Sequence, residues 1–129
     1  MGGKMVGFAG YDMPVQYDGM GVLKEHLHTR SAAGLFDVSH MGQALLTSTV
    51  DPGAALEKIV PSSITGLEPE KTRYTVLLND NGGIIDDLMV TRWDDKTLFL
   101  VVNAGCKDKD FAFIRSKIGG QVKLQYLAD

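Results

Sequence analysis

Apolar and polar positions change their period several times along this chain, and each change marks an element. Val22 to Ala33 puts Val22, Leu23 and Leu27 on one side of a helix, with Glu25, His28 and Arg30 largely elsewhere, so the spacing predicts a helix stopping at Gly34. Gln43 to Thr47 reads as a strand. Asp51 and Pro52 suit the N-cap and first-turn positions of a helix carrying Leu56, Ile59 and Val60 on one stripe and ending before Pro61. Pro61 to Lys71, with two prolines and Gly66, predicts a loop. Tyr74 to Leu78 then reads as a strand that returns through Ile84 to Arg92, because Asn81 and Gly82 between two apolar runs tolerate the positive φ of a tight hairpin. Asp94 and Asp95 turn the chain into a third strand, Thr97 to Asn103. Asn103 is placed to cap a helix running to about Lys117, with Phe111, Ile114 and Ile118 on one buried face and Gly119 and Gly120 at its end. Val122 to Leu127 closes as a strand.

From Gly42 the order is strand, helix, three strands, helix, strand, which predicts an α+β sandwich close to the split βαβ arrangement. Gly2 to Tyr17 is different. It mixes glycines with scattered apolar residues, has neither helical nor strand period, and predicts an extended, turn-rich segment. Residues 2–41 contain few regular elements and offer no obvious partner surface, so they do not read as a domain by themselves.

Composition narrows the functional classes. At 129 residues and 44% hydrophobic content, the chain can bury one ordinary core. Its net charge is −3, with acidic and basic residues interspersed, which argues against nucleic-acid binding, since that needs a concentrated basic face. The longest apolar runs, such as Leu98 to Val102, are far below the roughly 20 residues that span a bilayer, so no membrane insertion is expected. MGGKM has neither the apolar core of a secretory signal nor an Arg-rich amphipathic pattern. A single cysteine, Cys106, fits a reducing compartment, cytoplasm or organelle matrix.

Asp86 and Asp87 are the most unusual pair, because they interrupt the apolar strand IIDDLMV. Alternation puts them on opposite faces, and each needs donors, an end position or water. Bonding to the turn amides of the preceding glycines explains one of them structurally. The other should face a cleft, where a carboxylate in partly apolar surroundings serves as an acid or base. NDNGG imitates the start of a calcium loop, but with Gly82 as the invariant glycine the first and last ligands would be Leu77 and Leu88. His26 and His28 point to different sides of a helix and His40 stands alone, so these are read as surface or capping residues, and no metal site is expected. GGKMVGFAG lacks the GxxxxGK[ST] spacing of a phosphate loop. Cys106 at a helix start is read as a small packing residue, with a lowered thiol pKa as the alternative.

The runs GGKMVGFAGYDMPVQY, LFDVSHMG, NGGIIDDLMV and VVNAGCKDKDF, in this order and spacing, resemble the glycine cleavage system T-protein family, the aminomethyltransferases. The resemblance spans nearly the whole chain. It implies that residues 42–129 are a ferredoxin-like second domain and residues 1–41 a partial segment of the first. It also implies a longer, three-domain enzyme around a folate channel, so this chain is expected to be an N-terminal part with weak or no activity alone. The implied reaction moves a methylene group from the aminomethyl-lipoyl arm of H-protein to tetrahydrofolate, with ammonia released. By the same resemblance Asp87 is the catalytic residue facing the folate, and Met41, Tyr74 and Asn103 help line its site. Tyr74 and Asn103 keep structural readings as a strand aromatic and a helix cap. Two other functions compete: a related folate-linked demethylase or dehydrogenase module, and a non-catalytic module of the same fold.

Overall fold

Gly3–Phe8 (β1) and Tyr11–Tyr17 (β2) pair antiparallel across a turn in which Ala9 and Gly10 both have positive φ. That left-handed pair matches the twist of a two-residue hairpin. The register passes from Lys4↔Gln16 to Met5↔Pro14, so Val15 is an extra residue and Pro14, which has no N–H to give, sits at a bulge. The expectation of a segment without strand period is therefore corrected. Alternation needs one buried face, and neither strand of this hairpin has a buried residue. Gly21–Ser31 (α1) follows, tied to β2 where the Tyr17 N–H donates to Glu25 Oε1 at 2.7 Å. The structure, a computed structural model, describes Gly2–Leu127, and its residues fall into two units, Met1–His40 and Met41–Asp129.

In the second unit, Gly42–Thr47 (β3), Thr72–Leu78 (β4), Ile84–Asp94 (β5), Thr97–Val102 (β6) and Lys123–Leu127 (β7) form one sheet. The order is β4-β5-β6-β3-β7, with every neighbouring pair antiparallel. Two helices complete the unit, Gly53–Leu56 (α2) and Lys107–Ile118 (α3). Because β6 and β7 both run antiparallel to the β3 between them, β6, α3 and β7 form a split βαβ unit, as the α+β, ferredoxin-like reading expected.

The core lies on one face of this sheet. Ala44, Leu46, Leu88, Val90, Leu98, Leu100 and Val102 meet Leu56, Ile59, Phe111, Ile114 and Ile118, all buried. Tyr74, Met89 and Trp93 remain exposed. The helix expected up to Val60 shortens to α2. Beyond Leu56 the chain tightens into three-residue turns, with the Lys58 N–H on the Ala55 carbonyl and the Ile59 N–H on that of Leu56. The Glu57 side chain meanwhile turns to accept from the Ile64 and Thr65 amides. Ile59 and Val60 are buried even so. Among the described residues, no helix is long and apolar enough to cross a membrane.

Candidate active site

Alternation along β5 gives its inner face Asp86, Leu88, Val90 and Arg92, and its outer face Asp87 and Met89. Leu88 pairs with Val102, so the same register continued by one step sets Asn103 opposite Asp87. The Asn103 amide uses that position. Its Nδ2 donates to Asp86 Oδ1 at 2.8 Å, to Asp87 Oδ1 at 3.0 Å and, more weakly, to the Asp87 carbonyl at 3.3 Å. Asp86 Oδ1 also accepts the Asp87 N–H at 2.9 Å. One neutral amide thus bridges carboxylates from opposite faces of the strand.

These contacts correct two expectations. Asn103 makes no side-chain cap bond, and α3 begins only at Lys107, after a 3-10 turn over Ala104–Cys106. The glycine-turn amides are not bound by an aspartate of the pair. Asn79 Oδ1 takes the N–H groups of Asn81 and Gly83, both at 2.9 Å.

Tyr74 lies on the outer face, diagonal to Asp87, because Tyr74 pairs with Met89 and Val76 with Asp87. The charge of Asp87, helped by slight burial and a hydrogen bond from the phenol, raises the Tyr74 pKa. Tyr74 is still 62% exposed. Met41 immediately precedes β3, and continuing the Gly42↔Val102 register sets it across from Asn103. It is half-buried, and no hydrogen bond joins it to the cluster. Hydrogen bonds therefore bring Asp87 and Asn103 together, and Tyr74 and Met41 join them by position.

The inner side of the cluster went unnoticed in the sequence. Burial opposes charge on Asp86, but the neighbouring Cys106 thiol, the Asn103 amide and Asp87 N–H that bond to it, and the nearby Asp110 carboxyl lower its pKa. The same contact raises the Cys106 thiol, which removes the alternative of an activated cysteine. Asp110 is fully buried, and its carboxyl is pushed up to about 7, first by burial and then by the charge and hydrogen bond of Asp86. Its spacing held the signal: Asp110, Ile114 and Ile118 recur every four residues on the buried stripe of α3. His26 and His28 lie on α1, and the His40 ring packs edge-on against Phe8 and Tyr11.

A half-buried amide that fixes two carboxylates, one turned to the outer sheet face beside a phenol, can orient a polar ligand and stabilise positive charge developing on it. The chain is also similar to known proteins. The family model described as the GCVT N-terminal domain matches residues 1–129. The chain is 49% identical over 118 residues to the mitochondrial aminomethyltransferase of Dictyostelium discoideum, covering 92% of this chain and 28% of that one. It is 43% identical to the aminomethyltransferase of Chlorobium phaeobacteroides, over 92% of this chain and 32% of the other. The crystal structure of glycine cleavage system aminomethyltransferase T from Bartonella henselae superposes with a TM-score of 0.87 at 40% identity, covering 98% of this chain and 35% of that one. Matched along its whole length by that domain, the chain belongs to the aminomethyltransferase, or T-protein, family of the glycine cleavage system.

Proposed function

We propose that this chain supplies the folate-facing carboxylate of an enzyme that transfers the methylene group of aminomethyl-lipoyl H-protein to tetrahydrofolate. The chain spans 28% and 32% of the two curated relatives above, so the complete reaction belongs to a polypeptide of their length. Residues 1–41 are read as a piece of the first domain and residues 42–129 as the second. Such enzymes work wherever their lipoylated partner is found, in a bacterial cytoplasm or a mitochondrial matrix.

In the proposed reaction two reduced folate nitrogens bond in turn to the aminomethyl carbon, each displacing one group and giving up the proton that the leaving group takes. Ammonia and the lipoyl thiol leave, and the methylene ends on the folate. Positive charge builds on the methylene as the first group departs, and a fixed anion beside it lowers the barrier. Asp87 is the candidate for that anion, or for the group that holds the folate and its exchanging proton. The observation that carries this reading is the Asn103 bridge, which keeps the Asp87 carboxylate fixed on the outer sheet face. Tyr74, Asn103 and Met41 are read as lining residues of the same site.

The test is methylene-tetrahydrofolate formation from aminomethylated H-protein, assayed in a polypeptide of the relatives' full length. Asp87→Asn should cut turnover by at least about a hundredfold, the usual scale for a lost charge-stabilising or proton-handling group. Thermal stability should barely change, because the asparagine oxygen still accepts from Asn103. No product from the unsubstituted protein would overturn the reading, and unchanged turnover in D87N would remove Asp87 from the mechanism.

A further inference from the structure

Behind the Asn103 amide lies a carboxyl for which the proposed chemistry has no use. Asp110 is the fourth residue of α3 and is wholly buried. Among the described residues, no ordinary donor reaches either of its oxygens or Asp86 Oδ2. The Lys109 ammonium stops 3.9 Å from Asp110 Oδ1 and is itself largely exposed. The two carboxyls are neighbours: Asp86 Oδ2 and both Asp110 oxygens are buried without another partner, and each carboxyl shifts the pKa of the other. Two carboxylates have only acceptors and repel, whereas a carboxylic acid donates a short, strong bond to a carboxylate. One proton must therefore stay between them in so dry a place. Asp86 has the Cys106 thiol, the Asn103 amide and the Asp87 N–H to stabilise its charge. Asp110 has no comparable donors, so the acid is Asp110.

We propose that Asp110 is a positioning residue: as a neutral acid it donates its proton to Asp86, which fixes Asp86 as the inner acceptor of the Asn103 amide and so holds that amide on the Asp87 carboxylate. The link to Asp87 function rests on the folate reading above, but the shared proton does not. The groups facing Asp110 are Asp86 and Asp87 on β5, Cys106 in the 3-10 turn and Lys109 on α3. From β3 and β6 the inner face offers only apolar side chains, among them Ala44, Leu100 and Val102. Of these groups only Lys109 favours loss of the proton, and it does so from solvent. Raising the pH through neutrality removes the proton and sets two charges against each other. Asp86 then turns away and Asn103 loses its inner anchor.

Two measurements test this. The first is the infrared spectrum of the 129-residue chain and of its Asp110→Asn variant across pH 6 to 9, read for the carbonyl band of a protonated carboxyl. The band should be present at pH 6, fade toward alkaline pH, and be missing from D110N. The second is tetrahydrofolate affinity across the same range in the full-length protein. Unsubstituted affinity should fall about tenfold, the factor set by a single net hydrogen bond. D110N should stay flat, because its amide donates to Asp86 at every pH, and Asp110→Leu should bind weakly throughout. If D110L does not fold, the contrast between D110N and the unsubstituted protein still decides. A missing band, or one that persists in D110N, overturns the shared proton. A band that behaves as expected beside a pH-independent affinity overturns the positioning role. Absence of tetrahydrofolate binding at every pH overturns the folate reading instead, and the infrared result alone then judges the proton.

Discussion

Asn103→Asp changes an NH2 group into an oxygen with almost no change in volume, yet it reverses the sense of three contacts. The native amide donates to two carboxylate oxygens, at 2.8 Å and 3.0 Å. A hydrogen bond to a charged acceptor is worth about 1.5–3 kcal/mol net. Asp86 keeps the Asp87 N–H and the Cys106 thiol, and half-buried Asp87 regains water, so Asn103→Ala should cost about 2 kcal/mol, close to one such bond. The aspartate adds like-charge repulsion. At about 3 Å and an effective dielectric of about 20, each charged pair costs roughly 5 kcal/mol. The new carboxyl escapes that by keeping a proton, so its pKa rises in the folded state. Between the unfolded and the raised folded value the native state binds more protons, and stability must fall as pH rises. N103D should match N103A near pH 5 and be about twice as destabilised near pH 8. Urea unfolding at both pH values, each variant referred to the unsubstituted chain at that pH, measures this. An N103D chain as stable as the unsubstituted one at pH 8, or indistinguishable from N103A at both values, would refute the bridge.

Three further predictions concern the frame around the cluster. Arg92 is only 4% exposed and pairs with Asp51 at 3.0 Å, and Asp51 Oδ1 also accepts the Gly53 N–H at 2.7 Å. Asp51→Ala strands a buried cation and should cost about 3 kcal/mol or more in denaturant unfolding, while Asp51→Asn should recover part of that loss. A Cβ on Gly42 would meet Lys107 Cβ at 2.6 Å and Val102 Cγ2 at 2.8 Å, so Gly42→Ala should lower stability by about 1–3 kcal/mol through overpacking at the start of β3, measurable by thermal melting. Glu57 has a lowered pKa because the Thr65 amide, above all, and then the Thr65 hydroxyl and Ile64 amide bond to it. Its stabilising effect is present above the unfolded glutamate value, about 4.3, and disappears as pH falls through the lower folded value. Glu57→Gln should flatten that part of the acid-unfolding curve and leave the alkaline side unchanged.

Much of the second unit was legible because its strands each bury one face. The alternation through Gln43–Thr47 and Thr97–Val102, and the Asn81–Gly82 turn, reported real pairings for that reason. The same logic explains the missed hairpin of Gly3–Tyr17, whose exposed faces impose no alternation and whose bulge at Pro14 breaks what period remains. The alternation of Asp86 and Asp87 was readable, but the identity of their donors was not. Those donors come from Asn103, Cys106 and Asp110, brought there by register and by the 3-10 turn that delays α3. Asp110 was open to discovery as a charged residue on an apolar stripe. The Asn103 contacts, by contrast, required the Leu88↔Val102 pairing to be known.

The inner face of β5 bears on why such a cluster persists where apolar packing would be more stable. It runs Asp86, Leu88, Val90, Arg92, apolar in the middle and charged at both ends. At the Arg92 end a full charge is matched by a full charge, and by the Ile64 carbonyl at 2.8 Å, so this end is locked. At the Asp86 end the charge is met by neutral donors and one proton, a weaker and conditional arrangement. Replacing Asp86 and Asp110 by two well-packed apolar residues would commonly be neutral or stabilising. It would also leave the Asn103 amide without an inner acceptor, free to rotate away from the outer face. An amide held by one anion can follow that anion; held between two, it fixes the position of both. The acid pair therefore makes sense as a device for rigidity at Asp87, obtained at the expense of stability that the chain gains elsewhere in its apolar core.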